Sequence, residues 1–302
     1  MRLIPIVLRV CLKMDNLKGK IISNWDNYFR GEDVETALKK REIAGGFKLQ
    51  VLYSRFKEEF YKKRKEFSAE EKSDNNKSPF KKVFDNPEKY CALEHNGFLI
   101  YPNTLPSEKY HIMLLSSEAR PEIKKEDILK LMNFARDTGY TIFLSITGSG
   151  ATAPGIFHAQ GHLEPFPIFS EKGGAKFQKI NLDADFSVYR ITYPARGIKI
   201  VGDKKSYEKI AERLEKIQKD TPFNLLTRGN ELLIFPRTKE VPSMFDSWQM
   251  GGLEMGGKFC TRAYEVFSSL DYETLKQALS EVTFSEEQLK DFEKRLVGGL
   301  ND

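Results

Sequence analysis

Residues 147–169 read TGSGATAPGIFHAQGHLEPFPIF, and the fold is decided inside this stretch. A glycine- and hydroxyl-rich segment follows the apolar run 140–146 and leads into strict alternation, in which Phe157, Ala159 and Gly161 separate His158, Gln160 and His162. Alternation of period two predicts a strand, and residues i, i+2 and i+4 of a strand share one face. His158, Gln160 and His162 therefore form a polar row. A Gly-Ser-Gly turn beside such a row points backbone N–H groups at phosphate oxygens, and an imidazole held there is a nucleophile toward phosphorus.

The same residues resemble the signature of the histidine triad superfamily, in the transferase and phosphorylase branch where H-x-H-x-Q replaces the H-x-H-x-H of the hydrolases. On that pattern His158 matches the nucleophilic histidine and Gln160 the branch-defining glutamine. SGATAP is similar to the segment that precedes the motif in diadenosine tetraphosphate phosphorylases, and HAQGHLEPFPI to the corresponding stretch of GDP-hexose phosphorylases. One position departs: Ile156 stands where the family has the first histidine of its pair, a supporting residue. Further on, the FN-x-L of 223–226, the FPR of 235–237, MGGLEMGG at 250–257 and the closing SEVTFSEEQLKDF look like the second half and tail of these phosphorylases.

The resemblance implies an α+β fold of two histidine-triad-like halves, each an antiparallel sheet with packed helices. It also implies a nucleotide phosphorylase or nucleotidyltransferase that cleaves a dinucleoside polyphosphate or a nucleoside-diphosphate sugar through a nucleotidyl-histidine. His158 is the expected nucleophile, with a backbone carbonyl of the motif holding its second ring nitrogen. Gln160 donates to a non-bridging oxygen. His162, in phase with both, is either a proton donor to the leaving group or a structural residue. Gly148, Ser149, Gly150 and Thr152 are expected to cradle phosphate, Arg228 and Arg237 are candidates for the departing phosphates, and Asn103 lies near the nucleoside. His111 is read as structural. The expected partners are an adenine or guanine nucleotide and inorganic phosphate. No metal site or resident cofactor is expected, and a divalent cation such as Mg enters only with the substrate. Two other readings stay open, a nucleotide-binding protein impaired at Ile156 and a hydrolase of the same superfamily.

Composition agrees with a globular enzyme-sized chain. Its 302 residues are 40% hydrophobic and 30% charged, enough for a large core without staples. The net charge of +5 is spread along the chain, whereas nucleic-acid binding calls for a concentrated basic face. Cys11, Cys91 and Cys260 lie far apart, which excludes a disulfide framework and zinc-finger spacing and makes a cytoplasmic setting the default. Residues 1–13 are interrupted by Pro5, Arg9 and Lys13, so a disordered or strand-like extension is expected there, and no run suits a membrane span.

Read in order, the chain divides into an extension and helical segment at 1–44, a catalytic half at 45–175 and a second half at 176–302. In the first part, 15–44 has helical spacing, and Gly45-Gly46 break it before a strand in FKLQVLYSRF whose Arg55 is a ligand candidate. A charged surface helix follows from 57, then a polar tract at 74–78 expected to be disordered. Strands are expected in GFLIYPNTL and KYHIMLLSS, and a helix over 122–137 with Ile128, Leu131, Met132 and Ala135 on one face, ended by Gly139. The second half repeats the pattern with strands in SVYRITYPARGIKIVG and a helix through Tyr207, Ile210, Leu214 and Ile217. A hairpin at Arg228-Gly229-Asn230 follows, and Ser285 with Gln288 caps the last helix.

Overall fold

The computed structural model describes residues 4–67, 80–118, 120–151, 153, 156–170, 173–182 and 186–298. The expected tract at 74–78 and the residue Thr152 lie outside them. The chain opens with α1 (Ile4–Tyr28) and α2 (Val34–Ala37), then β1 (Leu38–Ile43), β2 (Leu49–Ser54), α3 (Arg55–Phe67) and α4 (Lys81–Asp85). Next come β3 (Leu93–His95), β4 (Phe98–Pro102), β5 (Ile112–Ser116), α5 (Lys125–Thr138), β6 (Thr141–Ser145) and β7 (His158–His162). The second half supplies β8 (Lys176–Leu182), β9 (Phe186–Thr192), β10 (Gly197–Gly202), α6 (Lys204–Ile217), β11 (Phe223–Arg228) and β12 (Glu231–Pro236). It closes with α7 (Gly252–Met255), β13 (Lys258–Thr261), α8 (Tyr264–Ser269), α9 (Tyr272–Val282) and α10 (Glu286–Val297).

Ten strands make one antiparallel sheet in the order β3-β4-β5-β7-β6-β11-β12-β10-β9-β8. Read inward from either edge the two halves are the same: three strands in chain order, a helix, then two strands of which the second inserts before the first. The copies meet at β6 and β11, which pair antiparallel with Phe143 opposite Leu226. This duplication is a property of the backbone, since the letters of the two halves show no sharp repeat.

Alternation sorts the sheet into two faces. Ile112, Leu114, Ile142, Leu144, Ala159, Leu225 and Ile234 point to one, where α5 and α6 lay their apolar stripes across them and Trp25 of α1 and Phe292 of α10 complete the core. On the other face a three-stranded sheet, β1-β2-β13, packs with α9 over Leu226, Leu233, Phe235 and Ile191. The remaining strip of that face holds the His158 row and a small cluster of Phe80, Val83, Tyr101, Met113 and Leu115. Gly139 ends α5 at φ +73°, and Ser285 with Gln288 forms the capping box of α10.

Three expectations change. Residues from Ile4 onward are helical where an extension was expected, with Pro5 in the first turn, where no backbone donor is needed. The helix ends at Tyr28, and 38–43 pairs with 49–54, so the expected boundary at 44/45 falls inside a hairpin. That hairpin pairs with β13 from the far end of the chain, tying the N-terminal part to the second half. Among the described residues no helix is long and apolar enough to cross a membrane.

Candidate functional site

Strand β7 is central because it pairs with β5 on one side and β6 on the other, setting Gln160 opposite both Met113 and Phe143. Its buried-face residues leave no choice of orientation: Ala159 lies in the helix-side core, and any side chain at Gly161 would run into Ile112 and Ile142. His158, Gln160 and His162 are thereby turned together to the opposite face. The strand predicted from alternation is the strand observed.

His158 is 6% exposed, and its ring lies 4.9 Å from that of Phe80. Its Nδ1 is 2.8 Å from the carbonyl oxygen of Ile156. Since a carbonyl only accepts, Nδ1 carries the proton and Nε2 the lone pair. Burial pushes the imidazole below its ordinary range, against a smaller opposite effect of the Ile156 carbonyl, so the ring is neutral.

Gln160 is oriented from behind. The backbone N–H of Ser107 donates to His111 Nδ1 at 3.1 Å, which makes Nε2 the protonated nitrogen of His111. That N–H donates to Gln160 Oε1 at 2.9 Å. With its oxygen so engaged, Gln160 keeps its NH₂ to donate, and Asn103, whose own oxygen accepts from Leu105 N at 2.9 Å, turns its NH₂ to that same Gln160 oxygen at 3.5 Å and to Met113 Sδ at 3.2 Å. His111, read from the sequence as structural, is thus the residue that aims Gln160.

Behind this pair runs a charged network. Ser107 Oγ is 3.0 Å from both His111 Nδ1 and His162 Nε2. His162 Nδ1 lies 2.8 Å from Glu108 Oε2 without the alignment of a hydrogen bond, and the same oxygen is 2.5 Å from Lys258 Nζ. Burial, reinforced by Lys258, Lys57 and Lys40, holds His162 neutral, and burial next to His162 does the same for His111. Burial also lowers the Lys258 ammonium, against the pull of Glu108. Glu108 and Lys258 were not anticipated, since nothing in a sequence links residues 150 positions apart.

Other expected site residues are placed elsewhere. His162 is fully buried, so of its two expected roles that of proton donor to a leaving group gives way to the structural one, as a network member behind Gln160. The Gly148–Gly150 cradle is corrected too. Ser149 Oγ and N–H close the turn on Ile146, and the Gly150 N–H donates to Glu240 Oε1 at 3.0 Å. Gly148 and Gly150 have φ of +84° and +86°, and a side chain at Gly150 would strike Met250 O, so these glycines serve docking of the loop.

Arg237 is 2% exposed, and its guanidinium donates to the carbonyls of Val282, Ser149, Met250 and Lys239 and to Asn224 Oδ1. Burial lowers it to about 10, yet it stays charged at neutral pH. It is a core strut, and its expected phosphate contact is corrected on that ground. Arg228 is corrected likewise: it donates to Thr141 Oγ1 at 2.9 Å, on the β6 residue that pairs with His162, away from the His158 end. Arg55 turns outward to Glu59. A cavity of about 280 Å³ lined by Met132, Arg136, Lys204, Tyr207 and Asn230 opens between α5 and α6 on the far side of the sheet and holds none of the motif residues.

No family model and no curated protein matches the sequence. Solved structures do. Yeast Ap4A phosphorylase Apa2 in complex with AMP aligns with a TM-score of 0.58 over 89% of this chain and 96% of that one, at 14% identity. The same enzyme in complex with Ap4A gives 0.55 over 89% and 97%, at 13% identity. The chain has the fold of these phosphorylase structures. At such identity the likeness is one of fold, and the chemistry must be argued from the residues.

Proposed function

We propose that the chain is a nucleotide phosphorylase or nucleotidyltransferase acting through a nucleotidyl-histidine at His158. The observation that carries this is the 2.8 Å contact from His158 Nδ1 to Ile156 O on a strand whose next outward residue is an aimed Gln160. Attack on phosphorus needs a neutral imidazole with its lone pair on a defined nitrogen; burial keeps the ring neutral and this contact defines the nitrogen. Nε2 attacks the α-phosphorus of a nucleotide, the bond from phosphorus to the bridging oxygen breaks, and the leaving group departs with the electron pair. An acceptor oxygen then attacks the same phosphorus, and the pair of the P–N bond returns to Nε2. The NH₂ group of Gln160 donates to a non-bridging oxygen, where charge builds in the transition state.

Glutamine has no proton to give at neutral pH, and His162 is sealed off. The leaving group and the acceptor must therefore be good without acid help, which fits phosphates and sugar phosphates better than water. A dinucleoside polyphosphate or a nucleoside-diphosphate sugar meets that demand, and a divalent cation carried by the polyphosphate would share its charge. The fold shared with an Ap4A phosphorylase supports this reading.

The test is a panel of diadenosine tetraphosphate and nucleoside-diphosphate sugars, each with and without inorganic phosphate, with product identification and a search for an acid-labile, base-stable adduct on His158. Products that require phosphate support phosphorolysis. Release that ignores phosphate points to a hydrolase. The near-complete burial of His158 against Phe80, with Ile156 at the family's histidine position, favours a second reading as a binding protein, which would bind nucleotide and form no adduct.

A further inference from the structure

The helix pair on the far side of the sheet is closed at one end and open at the other. Helices α5 and α6 are each 14 residues long, hold the same place in the two halves and lie antiparallel, the start of each against the end of the other. At the closed end α6 seals the first turn of α5. Glu215 Oε2 accepts from the Lys125 N–H at 3.0 Å, and the Gln218 amide spans Ile123, accepting from its N–H at 3.0 Å and donating to its carbonyl at 2.7 Å.

The open end has different residues at the matching positions. Arg136 stands as far along α5 from Lys125 as Glu215 stands along α6 from Lys204, and Gly139 follows α5 as Gln218 follows α6. Neither can seal the joint. A guanidinium has no lone pair to offer a backbone N–H, and a Cβ at Gly139 would meet no atom within 4 Å. The consequence is the cavity of about 280 Å³, with Arg136 on one wall and Lys204 on the other.

The donors of this cavity are short of acceptors. Arg136 gives only Nε to Asp137, at 3.0 Å, and among the described residues no protein acceptor meets its two terminal nitrogens. Lys204 Nζ reaches Glu208 only at 3.8 Å. The carboxylate of Asp203, which also lines the cavity, is held by Ser206, accepting from its N–H at 2.9 Å and its hydroxyl at 2.6 Å. Tyr207 fixes the shape of the space: its hydroxyl accepts from the Gly202 N–H at 2.9 Å and donates to the Asn230 carbonyl, pinning the β11–β12 turn to α6. Leu129 and Met132 give an apolar floor, and the exposed side chains of Asn133 and Asn230 stand at the rim.

We infer that this cavity is a second ligand site, separate from the His158 row, for a small hydroxylated phosphomonoester. The dianion takes the two terminal nitrogens of Arg136, whose fork matches phosphate, together with the Lys204 ammonium. The carbon body lies on Leu129 and Met132, and its hydroxyls meet the amides of Asn133 and Asn230. A cavity of about 280 Å³ suits a molecule the size of a sugar phosphate and is too small for a dinucleoside polyphosphate. The ligand supplies at this end the acceptor that Glu215 supplies at the other.

The test is calorimetric titration of the full chain with glucose 6-phosphate, glycerol 3-phosphate, inorganic phosphate and glucose, beside urea midpoints, in wild type, Arg136→Gln, Arg136→Glu and Lys216→Met. At least one ester should bind wild type and raise its midpoint, with inorganic phosphate weaker and glucose undetectable. Arg136→Gln should weaken the ester by about 10- to 100-fold, the worth of a charged hydrogen bond, without loss of stability. Arg136→Glu gives the open end the residue of the closed one, so binding should vanish while the ligand-free midpoint equals or exceeds that of wild type. Should that variant fail to fold, Arg136→Gln decides alone. Lys216→Met, outside the cavity, should bind as wild type does. Equal binding by wild type and Arg136→Gln places the ester elsewhere and overturns the inference. So does failure of both esters to bind, or inorganic phosphate bound as tightly as either ester.

Discussion

Strands β7 and β12 hold the same place in two copies of one topology and carry opposite chemistry. On the shared face β7 presents His158, Gln160 and His162, and β12 presents Glu231, Leu233 and Phe235. In the first half this face meets the buried network of Ser107, His111 and Glu108, to which the small sheet contributes Lys258, whereas in the second it is closed by apolar residues of the small sheet and α9. The backbone therefore does not choose the chemistry. What covers a face decides which polar residues there can be satisfied.

The strongest way to break this contrast is to remove the proposed nucleophile. His158→Ala should abolish the adduct and lower kcat/KM by about 10³ or more, since no neighbour can form the same phosphoramidate in the same place. Leu233→Ala, on the matching face of β12, should cost about 2–5 kcal/mol of stability and still label. Adduct formation followed by mass spectrometry, beside urea unfolding, separates the two. A His158→Ala protein that labels normally would move the site elsewhere.

The second test asks whether Arg237 belongs to the site or to the joint between halves. Arg237→Met leaves Asn224 Oδ1 and the carbonyls of Ser149, Met250 and Val282 short of donors, at a cost of about 3 kcal/mol or more. Urea unfolding should register the loss, with phosphate affinity of the folded fraction unchanged. Unaltered stability with weakened phosphate binding would return Arg237 to the ligand.

The polar row was legible because a two-residue period survives in the letters, and His158 could be picked out because its neighbours alternate with it. The end of α5 at Gly139 and the hairpin at Gly229 were legible for local reasons of backbone conformation. Arg237 was misjudged because an arginine after an apolar strand reads the same whether it meets a phosphate or six protein acceptors. Gly148–Gly150 failed likewise: glycines that let a loop approach a ligand also let it approach Met250. Glu108 and Lys258 meet only in the folded chain, and the β1–β2 hairpin was hidden because LKKREI is as good a helix as a strand until β13 arrives beside it.

The third test uses the neutral imidazoles of the first half, which the second half lacks. His111, His158 and His162 are all held below their ordinary range by burial, so the unfolded chain, with histidines near 6.5, binds more protons than the folded one once the pH falls below that value. Stability is then fully present above about pH 6.5 and is lost as the pH falls toward the folded values, by up to about 1.4 kcal/mol per pH unit for each group. Urea midpoints at pH 8, 6 and 5 should decline in that order, and His162→Gln should flatten the slope. Midpoints that hold or rise at pH 5 would mean that one or more of these rings is charged in the folded protein.

The smallest effect is expected at the departure from the family pattern. Ile156 contributes to His158 through its carbonyl, which any residue at that position offers, while its side chain packs beside the cluster of Tyr101, Met113 and Leu115. Ile156→His keeps the carbonyl and sets a polar ring against that cluster, so the orientation of His158 survives and about 1–3 kcal/mol of stability is lost unless the new ring finds a partner. The rate of adduct formation should stay within about tenfold of wild type. That result would show that the first half carries its nucleophile on main-chain geometry alone, which is why an isoleucine suffices there. A wild type that forms no adduct with any nucleotide, beside an Ile156→His variant that does, would mean instead that the side chain is required. The natural protein would then bind nucleotides without turning them over, and its two halves would differ in what they bind and not in what they catalyse.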